Sequence, residues 1–474
     1  MHSRLKAVAL ILPLLLAAVA EADDRPNPDR YVLDVRFFPE LARMEGRATI
    51  HFAGTGNLPT EATCYMHGEL SIDSAMIAGR KIRVDQKPVF YDFDYSLIAT
   101  EATLKLEGAS KDSTLEIFYS GFFHPSNARS QSDYMRIDHD GVFLRSYGYS
   151  LWFPIFLPSG SDDPTVNFPK VTIRTPTEFR SVFAGRLTAD SVRGDQRVTE
   201  WTAENLPLTA AQCTAQRYVV ASDGSCSVYH FPDSASKIAA GQILRFATQL
   251  NTLYGKRYRK GTADTQFYVI EMPPYGDISS GNVTGLTAST WKLFQDDPNA
   301  KRALAHELVH PYTRVPIDRN DPLYCLGIEG FPSYFHLPIL AEVLGDDVYD
   351  RFITWMEKLY LEKRQTGKTR WESSLPPEKP LLQLKADELS VYKDEFVLDD
   401  RALLFLNYLY RHMGRKRFFN FTSELFNRKK LTADGFRATI LKYLPDSAAD
   451  VDLWLTTSEY PDRLHLDHLG KRKK

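Results

Sequence analysis

Two histidines four residues apart constrain this chain more than any other feature. In His306-Glu307-Leu308-Val309-His310 the imidazoles recur at i and i+4, so on a helix they lie about 40° apart around the axis and one turn along it. Both rings then reach one point, and one metal ion can accept both. Glu307 sits beside the first of them, where its carboxylate can poise a water held by the metal. Glu329 follows nineteen positions after His310 and can close the ligand set from a second helix, leaving a fourth position open. The bland alternative is an amphipathic helix whose histidines happen to share a face. That alternative leaves the later glutamate, in Gly327-Ile328-Glu329-Gly330-Phe331, without a reason. The residues read as a centre for one zinc ion per chain, with His306, His310 and Glu329 as ligands and Glu307 as general base.

This pattern resembles that of the gluzincin metallopeptidases of the M1 family, which carry HExxH, then eighteen residues, then Glu within a phrase like NEGFASYF. Here the phrase reads Ile328-Glu329-Gly330-Phe331-Pro332-Ser333-Tyr334-Phe335. The resemblance is strong over residues 299 to 336 and weak over most of the remainder. It implies the same three zinc ligands and the same base. It also implies peptide or protein substrates and an N-terminal saddle-shaped β domain forming one wall of the active-site cleft.

Two stretches depart from the family pattern. M1 enzymes stabilise the oxyanion with a tyrosine in a phrase like YEKGA that opens a later helix. Alignment on Ala402 puts Leu398 at that place. Tyr392, six residues earlier, is the nearest substitute for the catalytic donor, against the plain reading of a loop or core tyrosine. Arg401 and His336 are further candidates for an oxyanion partner, each better read as a surface or packing residue. The family also carries a GxMEN loop whose glutamate holds the substrate's free amine. The matching stretch is Gly281-Asn282-Val283-Thr284-Gly285, with Thr284 in place of the glutamate. A hydroxyl brings no countercharge, and charge-assisted bonds are roughly twice as strong as neutral ones. These five residues are expected to line the substrate as a cleft-edge strand, the alternative being an ordinary turn. Glu271 and Asp277 are possible replacements for the amine anchor, with nothing in their spacing to select either.

Arg4 and Lys6 precede an apolar run from Ala7 to Ala20, followed by small residues and then Asp23-Asp24-Arg25. This is the pattern of a secretory signal peptide over residues 1–22, cleaved after Ala20 or Ala22. It predicts an exported protein, periplasmic or secreted, with no membrane anchor. No later run is long and apolar enough to span a bilayer. Four cysteines suit an oxidising compartment without defining a disulfide framework. Cys213 and Cys226 are a possible bridge between neighbouring strands, and Cys325 reads as a small buried residue rather than a further ligand. The formal net charge of −2 excludes a general polyanion-binding surface, so no nucleic-acid partner is expected.

An apolar fraction of 43% supplies large cores, and the chain splits by pattern. Between Tyr31 and Phe231, β-rich runs such as Tyr31–Val35, Ala48–Phe52, Leu115–Tyr119 and Lys170–Arg174 alternate with Gly, Pro, Asn and Asp, as in an antiparallel β domain. Beyond Phe231 the pattern turns helical. Asp233 caps a run in which Ile238, Ile243, Leu244, Ala247 and Leu250 fall at helical intervals. Gln266 to Glu271 reads as a strand, and further helices are expected around Asp346–Glu362, Asp400–His412, Arg415–Asn427 and Ala433–Tyr443. Pro311 is expected to end or bend the metal-binding helix at His310. The expected architecture is α+β in two domains. The β domain takes 23–231 and a mainly helical, thermolysin-like catalytic domain takes 232–474, without the C-terminal helical-repeat domain of longer M1 enzymes.

These features favour a zinc-dependent peptide hydrolase, aminopeptidase-like with an altered or absent amine anchor. A hydrolase acting on a non-peptide substrate and a zinc-stapled binding protein are the alternatives. Glu307 argues against the second of these, because a purely structural zinc needs no base beside its ligand.

Overall fold

The computed structural model describes residues 27–458 apart from 55, 91–97, 124–134, 146–149, 158–163, 259–265, 273–277, 368–377 and 386–396. The expected leader at 1–22, Asp277 and Tyr392 lie outside the described residues.

Residues of period two build the N-terminal part. In the strand Pro28–Phe38, Tyr31, Leu33, Val35 and Phe37 are buried while their neighbours are half exposed, the signature of a sheet with one face on a core. The main sheet has eight strands in the order β13 (Arg186–Arg193), β14 (Gln196–Pro207), β11 (Thr165–Pro176), β1 (Pro28–Phe38), β2 (Arg43–Phe52), β8 (Leu115–Phe122), β4 (Leu70–Ile77) and β5 (Arg80–Ile82). Smaller sheets, β3 (Glu61–His67), β7 (Ile98–Lys105), β6 (Val84–Phe90) and β12 (Arg180–Phe183), β15 (Cys213–Gln216), β10 (Gly141–Leu144), β9 (Met135–Asp138), complete it. The expected antiparallel pairing holds with one exception. β1 and β11 run parallel, which the long excursion between Phe38 and Thr165 permits, since parallel neighbours need a long crossover.

A mixed sheet joins this part to the helices. Its order is β16 (Val219–Ser222), β17 (Cys226–His230), β18 (Phe267–Met272), β20 (Val283–Thr287) and β19 (Ile278–Ser280). β17, β18 and β20 are parallel neighbours, and β19 turns back antiparallel on β20 as the edge. Cys226, Val228, Phe267, Val269 and Leu286 point into the core shared with the helices. Tyr229, Tyr268, Ile270, Met272 and Val283 point into the core shared with the N-terminal strands. Every residue of β18 is buried, as expected of a parallel strand covered on both faces. The helix α1 (Ser234–Arg257) is the crossover between β17 and β18, so residue 231 falls within a β–α–β unit.

The remaining helices are α2 (Ala288–Leu293), α3 (Pro298–Thr313), α4 (Phe331–Leu344), α5 (Asp346–Thr366), α6 (Leu403–Met413), α7 (Arg415–Phe426), α8 (Ala433–Tyr443) and α9 (Ala448–Thr456). Capping sets several starts: Asp233 accepts from the Ser236 amide, Thr287 from that of Thr290, and Asp297 from that of Asn299. Gly345 turns the chain between α4 and α5 at φ +97°, a conformation that costs glycine little. Ile238, read as part of the buried stripe of α1, is 63% exposed. The stripe that packs is Ala239, Ala240, Ile243, Ala247, Leu250 and Tyr254. No helix among the described residues is long and apolar enough to cross a membrane.

Candidate metal centre

The face of α3 opposite its core side carries the candidate ligands. Leu304, Ala305, Leu308, Val309 and Tyr312 are buried, whereas His306, Glu307 and His310 are only partly so. Two tyrosines hold the helix layer. Tyr254 of α1 donates to the Ala305 carbonyl at 2.8 Å, and Tyr258 donates to the Phe335 carbonyl at 2.6 Å. Burial pushes both phenols well above their ordinary range, so they stay protonated donors.

Pro311 does not end α3, which runs on to Thr313. A proline inside a helix loses one bond and crowds the carbonyl four residues back, here that of Glu307. The last turn survives because Tyr312 and Thr313 are buried, the Tyr312 hydroxyl bonds Asn251, and the Arg314 amide still reaches the His310 carbonyl at 3.2 Å.

Glu329 comes from the π-helical turn Leu326–Gly330 that leads into α4. Such turns carry one extra residue and often lie at functional sites. It is 6% exposed. His306 Nε2 lies 3.4 Å from His310 Nε2 and 3.5 Å from Glu329 Oε1, and the three ligand atoms fall within 4.8 Å of one another. Zinc takes N and O ligands at about 2.0–2.2 Å in a tetrahedron, which sets neighbouring ligand atoms about 3.3 Å apart. The donor set fits zinc in number, type and spacing. Glu307 Oε1 lies 3.9 Å from His306 Nε2, beside the ligands rather than among them.

His336 stands behind this group. Its ring is fully buried, 5.5 Å from that of His306 and at 81° to it. Burial, then the neighbouring His306 and Arg302, hold it well below the usual histidine range, so the ring is neutral. Arg401, the other candidate oxyanion partner, is fully buried and committed elsewhere. It pairs with Glu378 at 3.0 Å and caps the end of α9 through the carbonyls of Trp454 and Thr457. The segment Val397–Ala402, which includes Leu398, is a second π-helical turn and packs against the first.

The expected substrate-lining stretch divides in two. Gly281 and Asn282 form the β19–β20 turn and pack on the N-terminal part: Asn282 Nδ2 donates to the carbonyls of Gly185 at 2.8 Å and Gln266 at 2.6 Å. Gly281, at φ +58°, faces Leu206 and Ala184. Val283, Thr284 and Gly285 belong to β20, an inner strand. Thr284 is 2% exposed. The edge expected there is instead β19, which lies against α3. Glu271 is likewise engaged, accepting from the Phe231 amide at 2.8 Å and the Ser236 hydroxyl at 2.9 Å. Cys213 and Cys226 lie in different sheets and are free thiols, so the possible bridge is not formed. Cys325 is buried, with its thiol on the Lys385 carbonyl at 3.3 Å.

No protein-family model matches the sequence, and no curated protein matches it either. Solved structures do. An M1 zinc metallopeptidase from Deinococcus radiodurans superposes with a TM-score of 0.64 at 16% identity, over 92% of this chain and 95% of that one. The fold is that of the M1 zinc metallopeptidases. A two-domain M1 enzyme bound to L-arginine gives 0.64 at 15% identity with the same coverage. Yeast LTA4 hydrolase in complex with bestatin gives 0.67 at 16% identity, over 94% of this chain and 71% of that one. The arrangement of an N-terminal sheet-rich part and a helical C-terminal part agrees with these M1 structures.

Proposed function

We propose that this chain is a zinc-dependent hydrolase of peptide bonds. The observation that carries the reading is the mutual spacing of His306, His310 and Glu329, with Glu307 beside them and outside the ligand set. A zinc ion held by the three would polarise a substrate carbonyl and bring the pKa of a water towards neutrality. Glu307 would serve as the base that takes a proton from the attacking water and passes it to the leaving amine. Tyr392 is proposed as the donor to the oxyanion on sequence grounds. As the terminal strand of its sheet, β19 suits an extended peptide laid along the sheet edge.

The amine anchor differs from an exopeptidase of this fold. Thr284 lies inside the sheet and Glu271 is already engaged on both oxygens, so an N-terminal ammonium finds no carboxylate at either place. This supports altered end recognition, including cleavage of internal bonds. We further propose export by the leader at 1–22, with the β part up to residue 231 forming the cleft wall and residues from 232 carrying the chemistry.

Mass-spectrometric profiling of a peptide library with zinc-loaded wild type beside Glu307→Gln tests this. Cleavage by wild type alone is expected, and N-acetylated peptides are expected to be cut as readily as free ones. A zinc-loaded wild type that cuts nothing in the library would overturn the peptidase reading.

A further inference from the structure

One buried acceptor beside the candidate metal centre has no donor among the described residues. His336 Nδ1 lies 2.8 Å from the Pro332 carbonyl. A carbonyl only accepts, so this nitrogen carries the ring proton. In the neutral ring Nε2 is then a bare lone pair. It is buried with no hydrogen-bond partner among the described residues, a situation that costs about 1–3 kcal/mol when nothing offsets it. The ring of His306 stands 5.5 Å from that of His336, and its Nε2 lies beside His310 and Glu329. Metal binding at that Nε2 fixes the His306 proton on Nδ1, and a metal-bound imidazole nearly always passes that proton to an acceptor.

We propose that His336 is a positioning residue for the ligand His306: its Nε2 accepts the Nδ1–H that metal loading fixes on His306. A direct N–H···N bond has its heavy atoms about 3 Å apart and sets the ring centres roughly 5 Å apart. The observed separation is 5.5 Å, within reach of such a bond once the Nδ1 edge of His306 is turned towards His336. The perpendicular rings allow it, since the lone pair lies in the plane of one ring and the donor needs only to turn its own edge towards it. His336 lies seven residues after Glu329, two turns on, so one stretch of chain supplies both a ligand and the support for another ligand. The neutral imidazole would do here what a carboxylate does in many zinc sites, without adding negative charge to a centre that already holds Glu329 with Glu307 beside it. This assignment rests on the zinc reading of the site.

The test uses the full chain labelled with ¹⁵N-histidine, titrated with zinc ion, beside His336→Leu and His336→Gln. In wild type the His336 Nε2 resonance is expected to move towards the hydrogen-bonded range as zinc binds. His336→Leu is expected to weaken zinc binding about 10- to 100-fold in competition with a chelator, without lowering the melting temperature of the metal-free protein. His336→Gln, whose amide oxygen can accept, is expected to recover most of that affinity. A wild type that binds one zinc with an unmoved Nε2 resonance overturns the proposal, as does unchanged affinity in the leucine variant. A wild type that binds no zinc overturns the zinc reading itself, and with it this assignment.

Discussion

Gly330 and Ala402 touch across the two π-helical turns. A β-carbon on Gly330 would lie 3.1 Å from that of Ala402 and closer still to the Leu326 side chain. The leucine methyl can swing away, but Ala402 is fixed on a buried backbone. Gly330 directly follows Glu329, so any displacement passes to a candidate metal ligand. Gly330→Ala is expected to cost about 1–3 kcal/mol through overpacking and to weaken zinc. Thermal melting of the metal-free protein and chelator competition measure the two effects separately. A variant that matches wild type in both would show that the contact relaxes locally.

Glu307 is proposed to move a proton and not to bind the metal, since it lies beside the candidate ligands. Glu307→Gln keeps the size and removes the basicity, so the turnover number is expected to fall about 10²- to 10⁴-fold, the usual range for a positioned base. Zinc content should stay at one per chain by elemental analysis. Loss of the metal in this variant would mean that Glu307 belongs to the ligand set.

Much of this was readable from the chain. Helices with strong 3.6-residue patterning were legible nearly to the residue, as Ala433–Tyr443 shows. The grouping of His306 and His310 was legible because i, i+4 spacing is a property of one local helix. Pro311 misled because its local preference is overridden by the burial of Tyr312 and Thr313. Thr284 misled for the opposite reason: whether a strand is inner or edge depends on a neighbour, β19, that contributes only three residues. Nothing local in Cys213 and Cys226 distinguishes two sheets from one. The acceptor role proposed for His336 was hidden too, because it depends on which carbonyl its Nδ1 meets.

Glu342 joins three helices. Arg257 at the end of α1 and Arg415 at the start of α7 reach it at 3.0 Å and 2.7 Å. Burial alone would raise this carboxyl, but hydrogen bonds from Arg415 and Arg257 outweigh it and hold the group below its usual range. A depressed carboxyl stabilises the fold above its unfolded pKa, and that stability is lost as pH falls through the folded value. Wild type should therefore exceed Glu342→Gln by about 1–2 kcal/mol near neutrality, after allowance for the half-exposed Arg415. The gap should close as pH drops below the ordinary glutamate range. Urea melts of both proteins at stepped pH check this, and a gap that persists or widens in acid would exclude the triad as its source.

Lys363 of α5 and Asp400 form an ion pair at 2.7 Å with side-chain exposures of 4% and 1%. The pair fixes the second π-helical turn, which in turn packs on the one that carries Glu329. Two desolvated charges repay their burial only together, and removing one leaves the other stranded. Lys363→Met is expected to cost about 3–5 kcal/mol. The double variant Lys363→Met, Asp400→Leu removes both charges and should recover most of that loss. Because the turn packs on the one that carries the candidate ligand Glu329, the single variant should also bind zinc more weakly, while the double variant should recover part of that affinity. Denaturant unfolding across the four-protein cycle gives the coupling between the two residues, and chelator competition on the same proteins reads the metal site. Additive losses in the cycle would mean that the two charges act independently, and unchanged zinc affinity in the single variant would separate the second turn from the metal centre.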